Sequence, residues 1–278
     1  MIFDVHVHIQ PWEMLSPGAR ALMDDQAHRG VIDLISDPKA LLRYLDAERI
    51  ERICCINYVS PRVMGFSREA NDWIARFTAQ HRDRLLPVGS VDASTEKDVQ
   101  SEIRRVLDLG IRLIKIHPPH QWFAPNAYRH ELPGLADLYA ECQAREIPVM
   151  FHTGTSIFPN ARNTFADPMP VDDVAIDFPD LQIILAHCGR PLYGETAYFL
   201  ARRHANVHVD LSGIPPASLL RYVPRLRDIA AKALWGTDWP SPGVVSMARN
   251  VEQFRGLGLG PEVEEVILWK NAVRIFGE

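Results

Sequence analysis

Short apolar runs alternate with longer amphipathic segments along nearly the whole chain, and this alternation limits the fold more than any other feature. Eight runs have the length and composition of strands that are buried on both faces: the alternating stretch Met1–Gln10, Arg52–Tyr58, Leu85–Val91, Ile111–His117, Ile147–His152, Leu181–His187, Asn206–Leu211 and Lys232–Gly236. Helices are predicted at Lys39–Ala47, Ser67–His81, Ser94–Leu109, Glu131–Arg145, Val171–Phe178, Tyr193–His204, Pro216–Ile229, Val244–Phe254 and Glu262–Phe276.

Strands and helices that alternate in this way form either a closed barrel or an open doubly wound sheet. The length of 278 residues is typical of an eight-stranded barrel. No Gly-rich phosphate loop follows the first run, where the sequence continues with Pro11 and Trp12, and this disfavours the open sheet. We therefore predict an α/β protein in which residues 1–278 form a single (β/α)8 barrel.

The segment after the first strand, residues 10–37, has no clear periodicity and contains Pro11, Trp12, Met14 and Pro17. A connection of this length in a compact domain is often a lid over a functional site. Packing of Trp12 and Met14 against a neighbouring loop explains the same residues equally well. We predict an irregular loop here and treat it as a candidate lid.

The first strand carries an unusual polar face, on which Asp4, His6 and His8 follow each other at every second residue. Side chains two apart in a strand point the same way, so both imidazoles can converge on one metal ion. A single buried histidine would be explained as a hydrogen-bonded core residue, but two in succession after an aspartate favour a metal site.

The other predicted strands end in residues of the same chemical kind. In a (β/α)8 barrel all such ends meet at one rim, where active sites lie. The residues expected there are His6, His8, Lys115, His117, His152, His187 and Asp238. Three histidines and an aspartate suit Zn²⁺, with Mn²⁺, Fe²⁺ and Co²⁺ as alternatives.

The motifs that carry these residues resemble the amidohydrolase superfamily, and in particular its amidohydrolase-2 branch, which includes aminocarboxymuconate-semialdehyde decarboxylase and related metal-dependent hydrolases. The similar stretches are Phe3–His8, Ile114–Pro118, Val149–Gly154, Ile184–Gly189, Asn206–Gly213, Leu234–Pro240 and Ile267–Ala272, and they span nearly the whole chain.

This resemblance implies a hydrolase in which His6, His8, His152 and Asp238 hold one divalent ion, with Zn²⁺ expected and Mn²⁺ as an alternative. Metal-bound hydroxide would attack a carbonyl of a small carboxylated or cyclic substrate, and Asp238 or His187 would move the proton. The alternative on the same scaffold is a non-oxidative decarboxylase, that is, a lyase. A barrel that binds a chelating ligand without turnover is the third hypothesis.

The number of ions depends on Lys115, His117 and His187, which would bind either a second metal or the substrate. In two-metal members of the superfamily the lysine on strand four is carboxylated and bridges both ions. An unmodified ammonium has no lone pair and cannot be a ligand. We favour one ion, and we expect Asp4 to support a metal-binding histidine rather than to bind the metal itself.

Weaker candidates for substrate binding are Arg190, which follows the strand-six motif, and Trp122, which follows strand four. The net charge of −5 argues against nucleic acid as a partner. The four cysteines have no disulfide or zinc-finger spacing, and the sequence has no signal peptide or membrane-spanning run, so a cytoplasmic protein is expected. The resemblance alone suggests a homodimer that acts on a small molecule.

Overall fold

The computed structural model describes residues 1–23, 29–241 and 243–277. Its eight strands form one parallel sheet in chain order: β1 (Phe3–His8), β2 (Arg52–Ile56), β3 (Leu85–Gly89), β4 (Leu113–Ile116), β5 (Val149–His152), β6 (Ile183–Ala186), β7 (Val207–Asp210) and β8 (Ala233–Leu234).

The sheet closes on itself where the chain beyond β8 meets β1. Val5 donates a backbone hydrogen bond to Trp235 at 2.9 Å, and His8 donates one to Trp239 at 2.7 Å. Asp238 in turn donates to the backbone oxygen of His6 at 2.9 Å. The predicted single (β/α)8 barrel is confirmed, and this seam brings the first and last candidate ligands together.

The α-helices are α1 (Pro17–Met23), α2 (Arg29–Ser36), α3 (Pro38–Ala47), α4 (Glu69–Thr78), α5 (Val99–Asp108), α6 (Pro118–Gln121), α7 (Gly134–Ala144), α8 (Val171–Asp177), α9 (Gly194–Arg203), α10 (Leu219–Tyr222), α11 (Met247–Arg255), α12 (Pro261–Glu265) and α13 (Asn271–Phe276). A π-helical turn, Val266–Lys270, joins the last two. Local sequence explains several starts: the Asp37 carboxylate accepts from the Lys39 amide at 2.9 Å, with Pro38 as the first helical residue of α3.

The segment 10–37 is largely helical, so the prediction of an irregular loop was wrong. It holds a short 3₁₀ helix, Trp12–Met14, followed by α1 and α2, and the described residues stop at Met23 and resume at Arg29. Pro17 is the first residue of α1, a position where proline favours a helix. The lid role of this segment stays a prediction.

The predicted helix Pro216–Ile229 is interrupted. It consists of a 3₁₀ turn (Pro216–Ser218), α10 and a second 3₁₀ run (Leu226–Lys232). Pro224 lacks an amide hydrogen and disfavours helical geometry in the residue before it, so Val223 leaves the helix with ψ of 69°. Other predicted elements differ from the observed ones by a few residues at their ends.

Successive strand residues pack on opposite faces of the sheet. Met150 and Ile184 belong to a buried apolar cluster together with residues of β2, β3 and β4, whereas their neighbours Val149 and Ile183 pack with helical residues such as Leu138. This alternation gives an inner core and an outer core, as expected for a filled barrel. Within residues 1–23, 29–241 and 243–277, no helix has the length and apolar character needed to cross a bilayer.

Candidate active site and metal centre

A cavity of about 330 Å³ lies at the carboxyl ends of the strands, a volume in the range of small-molecule sites. Eight residues singled out in the sequence line it: His6, His8, Lys115, His117, His152, His187, Arg190 and Asp238. The side chains that were predicted to lie at the rim therefore line one shared cavity.

Three of the four predicted metal ligands converge at the seam of the barrel. His8 Nε2 lies 3.0 Å from Asp238 Oδ1, and His6 Nε2 lies 3.4 Å from the same oxygen. One donor atom from each of these three side chains lies within 4.8 Å of the others. Two imidazoles and a carboxylate at this spacing can share one divalent ion.

The orientation of His6 is fixed from behind. Its Nδ1 lies 2.6 Å from Asp210 Oδ2, and an ionised carboxylate can only accept, so Nδ1 carries the hydrogen and Nε2 keeps its lone pair. This Nε2 is buried and makes no hydrogen bond. A carboxylate–histidine pair of this kind is the usual support for a metal-binding imidazole, and burial also lowers the pKa of His6 well below its ordinary value, which keeps it neutral.

Asp238 is held as a carboxylate. Burial alone would raise its pKa, but the hydrogen bond from His8 and the positive charge of Arg190 outweigh it, so the pKa of Asp238 lies below its ordinary value. Its backbone φ is 67°, a left-handed conformation that a residue with a side chain rarely adopts. Such conformations cluster at functional sites because the surrounding structure must enforce them.

His187 has the same unusual backbone, with φ of 64°. Its Nδ1 lies 2.9 Å from Ser212 Oγ and 3.1 Å from Ser212 O, and Ser212 Oγ donates to Asp210 Oδ2 at 2.7 Å. Because the Ser212 carbonyl can only accept, His187 Nδ1 carries the hydrogen and Nε2 remains available. His6, His187 and Asp210 form a second compact group of potential ligands.

His152, the fourth predicted ligand, lies beside these groups rather than within them. Its ring centroid is 4.7 Å from that of His187 and 3.8 Å from that of His117, on which it stacks. Its Nε2 is buried without a hydrogen-bond partner. Ligation by His152 stays a prediction, to which the unpartnered nitrogen lends support.

Lys115 is buried in β4, with 1% of its surface exposed. Its Nζ contacts Met150 Sδ at 3.4 Å, and no carboxylate of the described residues lies within 4.0 Å of it. Burial lowers the pKa of Lys115 to about 8, and the more distant charges of Asp210 and Asp238 oppose this shift. The ammonium thus faces the cavity side of the barrel without a direct counter-ion.

Asp4 bridges the backbones of β1 and the chain after β8, and it makes no hydrogen bond to an imidazole ring of the described residues. Its Oδ1 accepts from the backbone amides of His6 at 3.0 Å and Thr237 at 3.1 Å, and burial raises its pKa to about 7. The expected support of a metal-binding histidine is supplied at the side chain by Asp210. Asp4 acts on His6 only through the main chain.

Trp122, a weaker candidate for substrate binding, is not among the residues that line the cavity. It is left-handed at φ of 64° where α6 ends, and its indole lies between the guanidinium groups of Arg62 (5.0 Å) and Arg162 (4.4 Å). Both residues belong to loops outside the cavity lining.

Sequence reasoning missed Tyr58, which lines the cavity directly after β2. Its hydroxyl lies 3.2 Å from His120 Nδ1, and His120 Nε2 lies 2.8 Å from Ser156 Oγ. The same rule that selected the other rim residues, a polar side chain just past a strand, would have found Tyr58.

A parallel barrel with a histidine–aspartate cluster at the carboxyl ends of its strands defines a class, the metal-dependent (β/α)8 enzymes. This chain belongs to the amidohydrolase family, whose family model matches residues 3–277. The membership agrees with the amidohydrolase-2 resemblance of the motifs. No curated protein sequence matches the chain significantly.

Solved structures share the fold at low sequence identity. An uncharacterised TIM-barrel protein from Bordetella bronchiseptica is 24% identical with a TM-score of 0.76, over 99% of this chain and 97% of that one. A 2,6-dihydroxybenzoate decarboxylase from Rhizobium is 18% identical with a TM-score of 0.69, over 99% and 98%. A 5-carboxyvanillate decarboxylase mutant from Novosphingobium aromaticivorans with bound manganese is 16% identical with a TM-score of 0.66, over 100% and 97%.

Proposed function

We propose that the protein is a metal-dependent decarboxylase of a small cyclic or aromatic carboxylate. The observation that carries this proposal is the Lys115 ammonium, which is buried at the cavity without a carboxylate partner and lies near three potential metal ligands. A buried cation without a counter-ion is costly, so an anionic group of the substrate is the partner that this site lacks.

His6, His8 and Asp238 would hold the metal, with His152 completing the set. The fit rests on the Nε2 atoms of His6 and His152, which are buried, make no hydrogen bond and belong to neutral imidazoles. The donor set suits Zn²⁺ and also Mn²⁺. When bound, such a cation acts as a Lewis acid that polarises substrate oxygens.

The residues of the chain divide the remaining work. Lys115 binds the carboxylate, and the stacked rings of Tyr58 and His117, with centroids 5.1 Å apart, form a wall that excludes water. As the bond between the ring carbon and the carboxyl carbon breaks, its electron pair stays on the ring carbon and CO₂ leaves. Neutral His187 carries its hydrogen on Nδ1, so its Nε2 first accepts a proton from solvent and then donates that proton to the ring carbon. Ser212 keeps His187 in place for this transfer.

The names of two similar structures support this assignment, since both are decarboxylases of substituted benzoates. Their identity with this chain is below 20%, so they support the class of reaction and not the substrate.

Hydrolysis is the second candidate, and the placement of Asp238 favours it. One carboxylate oxygen is bonded to His8, and the other lies 3.9 Å from the Arg190 guanidinium at the cavity. A carboxylate in this position could accept a proton from an attacking water. Asp238 therefore serves as a ligand in the first proposal and as a ligand and base in the second.

The test uses metal-loaded protein with ring-substituted benzoates that carry ¹³C in the carboxyl group, and in parallel with lactones and amides of similar size. Decarboxylation predicts ¹³CO₂ and the protonated ring, and Lys115→Met should abolish both. Lys270→Met is the matched control, because Lys270 pairs with Glu265 on the surface. Ring-opened or hydrolysed acids without ¹³CO₂ would refute the decarboxylase and establish the second candidate.

A further inference from the structure

We propose that Arg190 forms a second anion site at the rim of the cavity, which binds a planar carboxylate other than the one at Lys115. The natural substrate would then be a small dicarboxylate. This inference rests on the proposed function in one respect, namely that both carboxylates belong to one substrate.

The Arg190 guanidinium lacks the planar acceptor that its geometry requires. Its Nε is buried and has no hydrogen-bond partner. Its Nη2 lies 3.9 Å from Asp238 Oδ2, which is too long for a hydrogen bond, and no other carboxylate of the described residues comes within 4.0 Å. Arg190 lines the cavity with 28% of its side chain exposed, and a carboxylate is the acceptor that matches a guanidinium through two parallel hydrogen bonds.

One glycine lies against the Arg190 guanidinium, and another lies against the Arg190 backbone. A Cβ at Gly213 would lie 2.3 Å from Arg190 Nη2 and 2.8 Å from Nε, so the side chain rests directly on the backbone of the β7 loop. A Cβ at Gly154 would lie 1.8 Å from the Arg190 backbone oxygen, which also accepts from the Thr155 amide at 3.1 Å. The loops after β5 and β7 therefore hold Arg190 from two sides.

The arginine and the lysine lie at different depths. Lys115 belongs to β4 itself, whereas Arg190 follows the turn that comes after β6. Both line the same cavity as the candidate metal ligands. A monocarboxylate would pair with one cation and leave the other unpaired, whereas a dicarboxylate offers one carboxylate to each.

The experiment measures binding of two probes, isophthalate and benzoate, to the metal-loaded protein by calorimetry. The probes share the ring and differ by one carboxylate. We expect wild type to bind isophthalate at least about tenfold more tightly, since hydrogen bonds between charged groups are strong. Arg190→Gln should remove this preference and leave benzoate binding and metal content unchanged.

Two further variants separate a binding role from a structural one. Gly213→Ala keeps the charge but displaces the guanidinium, so it should weaken isophthalate binding like Arg190→Gln. Arg162→Gln is the matched control, since Arg162 stacks on Trp122 away from the cavity, and it should keep the wild-type preference. Circular dichroism and metal content verify that each variant is folded.

The possible results are decisive for Arg190. A wild type without preference for isophthalate, or an unchanged preference in Arg190→Gln, would overturn the second site. Loss of metal or of benzoate binding in Arg190→Gln would show instead that the residue supports Asp238. A preference for dicarboxylates in a protein that releases no CO₂ would keep the Arg190 site and refute only the decarboxylase.

Discussion

The two sides of the cavity differ in how their polar atoms are bonded. On the side of β1, β7 and β8, His6 is bonded to Asp210, which also accepts from Ser212, and His8 is bonded to Asp238. We call this the bonded side. On the side of β4 and β5, Lys115 Nζ, His117 Nδ1 and His152 Nε2 are buried with no oxygen or nitrogen partner, and we call this the unpaired side.

This difference indicates a division of labour. The two imidazole nitrogens have no partner, and each such buried group costs about 1–3 kcal/mol, so a site that leaves them beside a lysine bonded only to a thioether is adapted to something that binds there. The bonded side has its imidazoles oriented in advance, which is what a metal ion requires. The unpaired side offers a cation and two imidazole nitrogens, which suits the anionic part of a substrate and one remaining metal bond.

Removal of a ligand from the bonded side should have the largest effect. Wild type should contain about one equivalent of divalent metal by elemental analysis, and His6→Ala or Asp238→Ala should lose nearly all of it, because each variant removes one of the four proposed donors. The control is His204→Ala, a histidine that pairs with Asp172 outside the cavity. Full metal content in both site variants would show that the bonded side is not the metal site.

The unpaired side is tested by Lys115. With one metal, Lys115 is an unmodified ammonium that binds substrate, so Lys115→Met should lower kcat/KM by roughly 100-fold or more while metal content stays at one equivalent. Protein prepared in ¹³C-bicarbonate should show no carbamate signal by NMR. A carbamate, together with two equivalents of metal that fall on Lys115→Met, would reverse the one-metal assignment and move Lys115 to the metal-binding residues.

The sequence predicted the fold and the rim well because both depend on local patterns. Buried parallel strands are visible as apolar runs, and a residue at the end of a strand must lie at the rim once the barrel closes. This placed His6, His8 and Asp238 in one site although 230 residues separate His8 from Asp238. Trp122 was misplaced because the left-handed residue at the end of α6 turns its indole outward, which no periodicity reveals.

The support of the site was harder to predict, because it depends on distances between strands. Asp4 and Asp210 are both carboxylates on strands that approach His6, and the pattern gave preference to the nearer residue in the chain. The pairing of β1 with β2 shifts register between Asp4 and Val7, and Asp4 contacts the backbone amides of His6 and Thr237 instead of the His6 ring. Asp210 reaches the His6 ring from β7.

The contrast between Asp4 and Asp210 predicts a loss of metal affinity that is smaller than the loss on removal of a ligand. Asp210→Asn removes the ionised acceptor of the His6 Nδ1 hydrogen and should weaken metal affinity by about 10–100-fold. Asp4→Asn is the matched control: its amide oxygen can still accept from the backbone amides of His6 and Thr237, so metal affinity should change little. Equal losses in competitive chelator titrations of the two variants would show that Asp4 and Asp210 support His6 in the same way.

The smallest expected effect is a change in the pH dependence of stability, and it comes from Asp4. One carboxylate oxygen of Asp4 is hydrogen-bonded, and the other is buried without a partner. Oδ1 is bonded to two amides, whereas Oδ2 is buried without a partner, and burial raises the pKa to about 7. The folded state therefore binds a proton that the unfolded chain releases near pH 4, so this contribution to stability is complete below pH 4 and is lost as the pH rises towards 7. The loss has a slope of at most about 1.4 kcal/mol per pH unit.

Asp4→Asn cannot ionise, so the Tm of the metal-free variant relative to metal-free wild type should rise steadily from pH 5 to pH 7.5. If the Tm of Asp4→Asn and the Tm of wild type changed with pH in the same way over this range, ionised Asp4 would cost little stability. Both of its oxygens would then be stabilised by the protein, like the carboxylates of the bonded side.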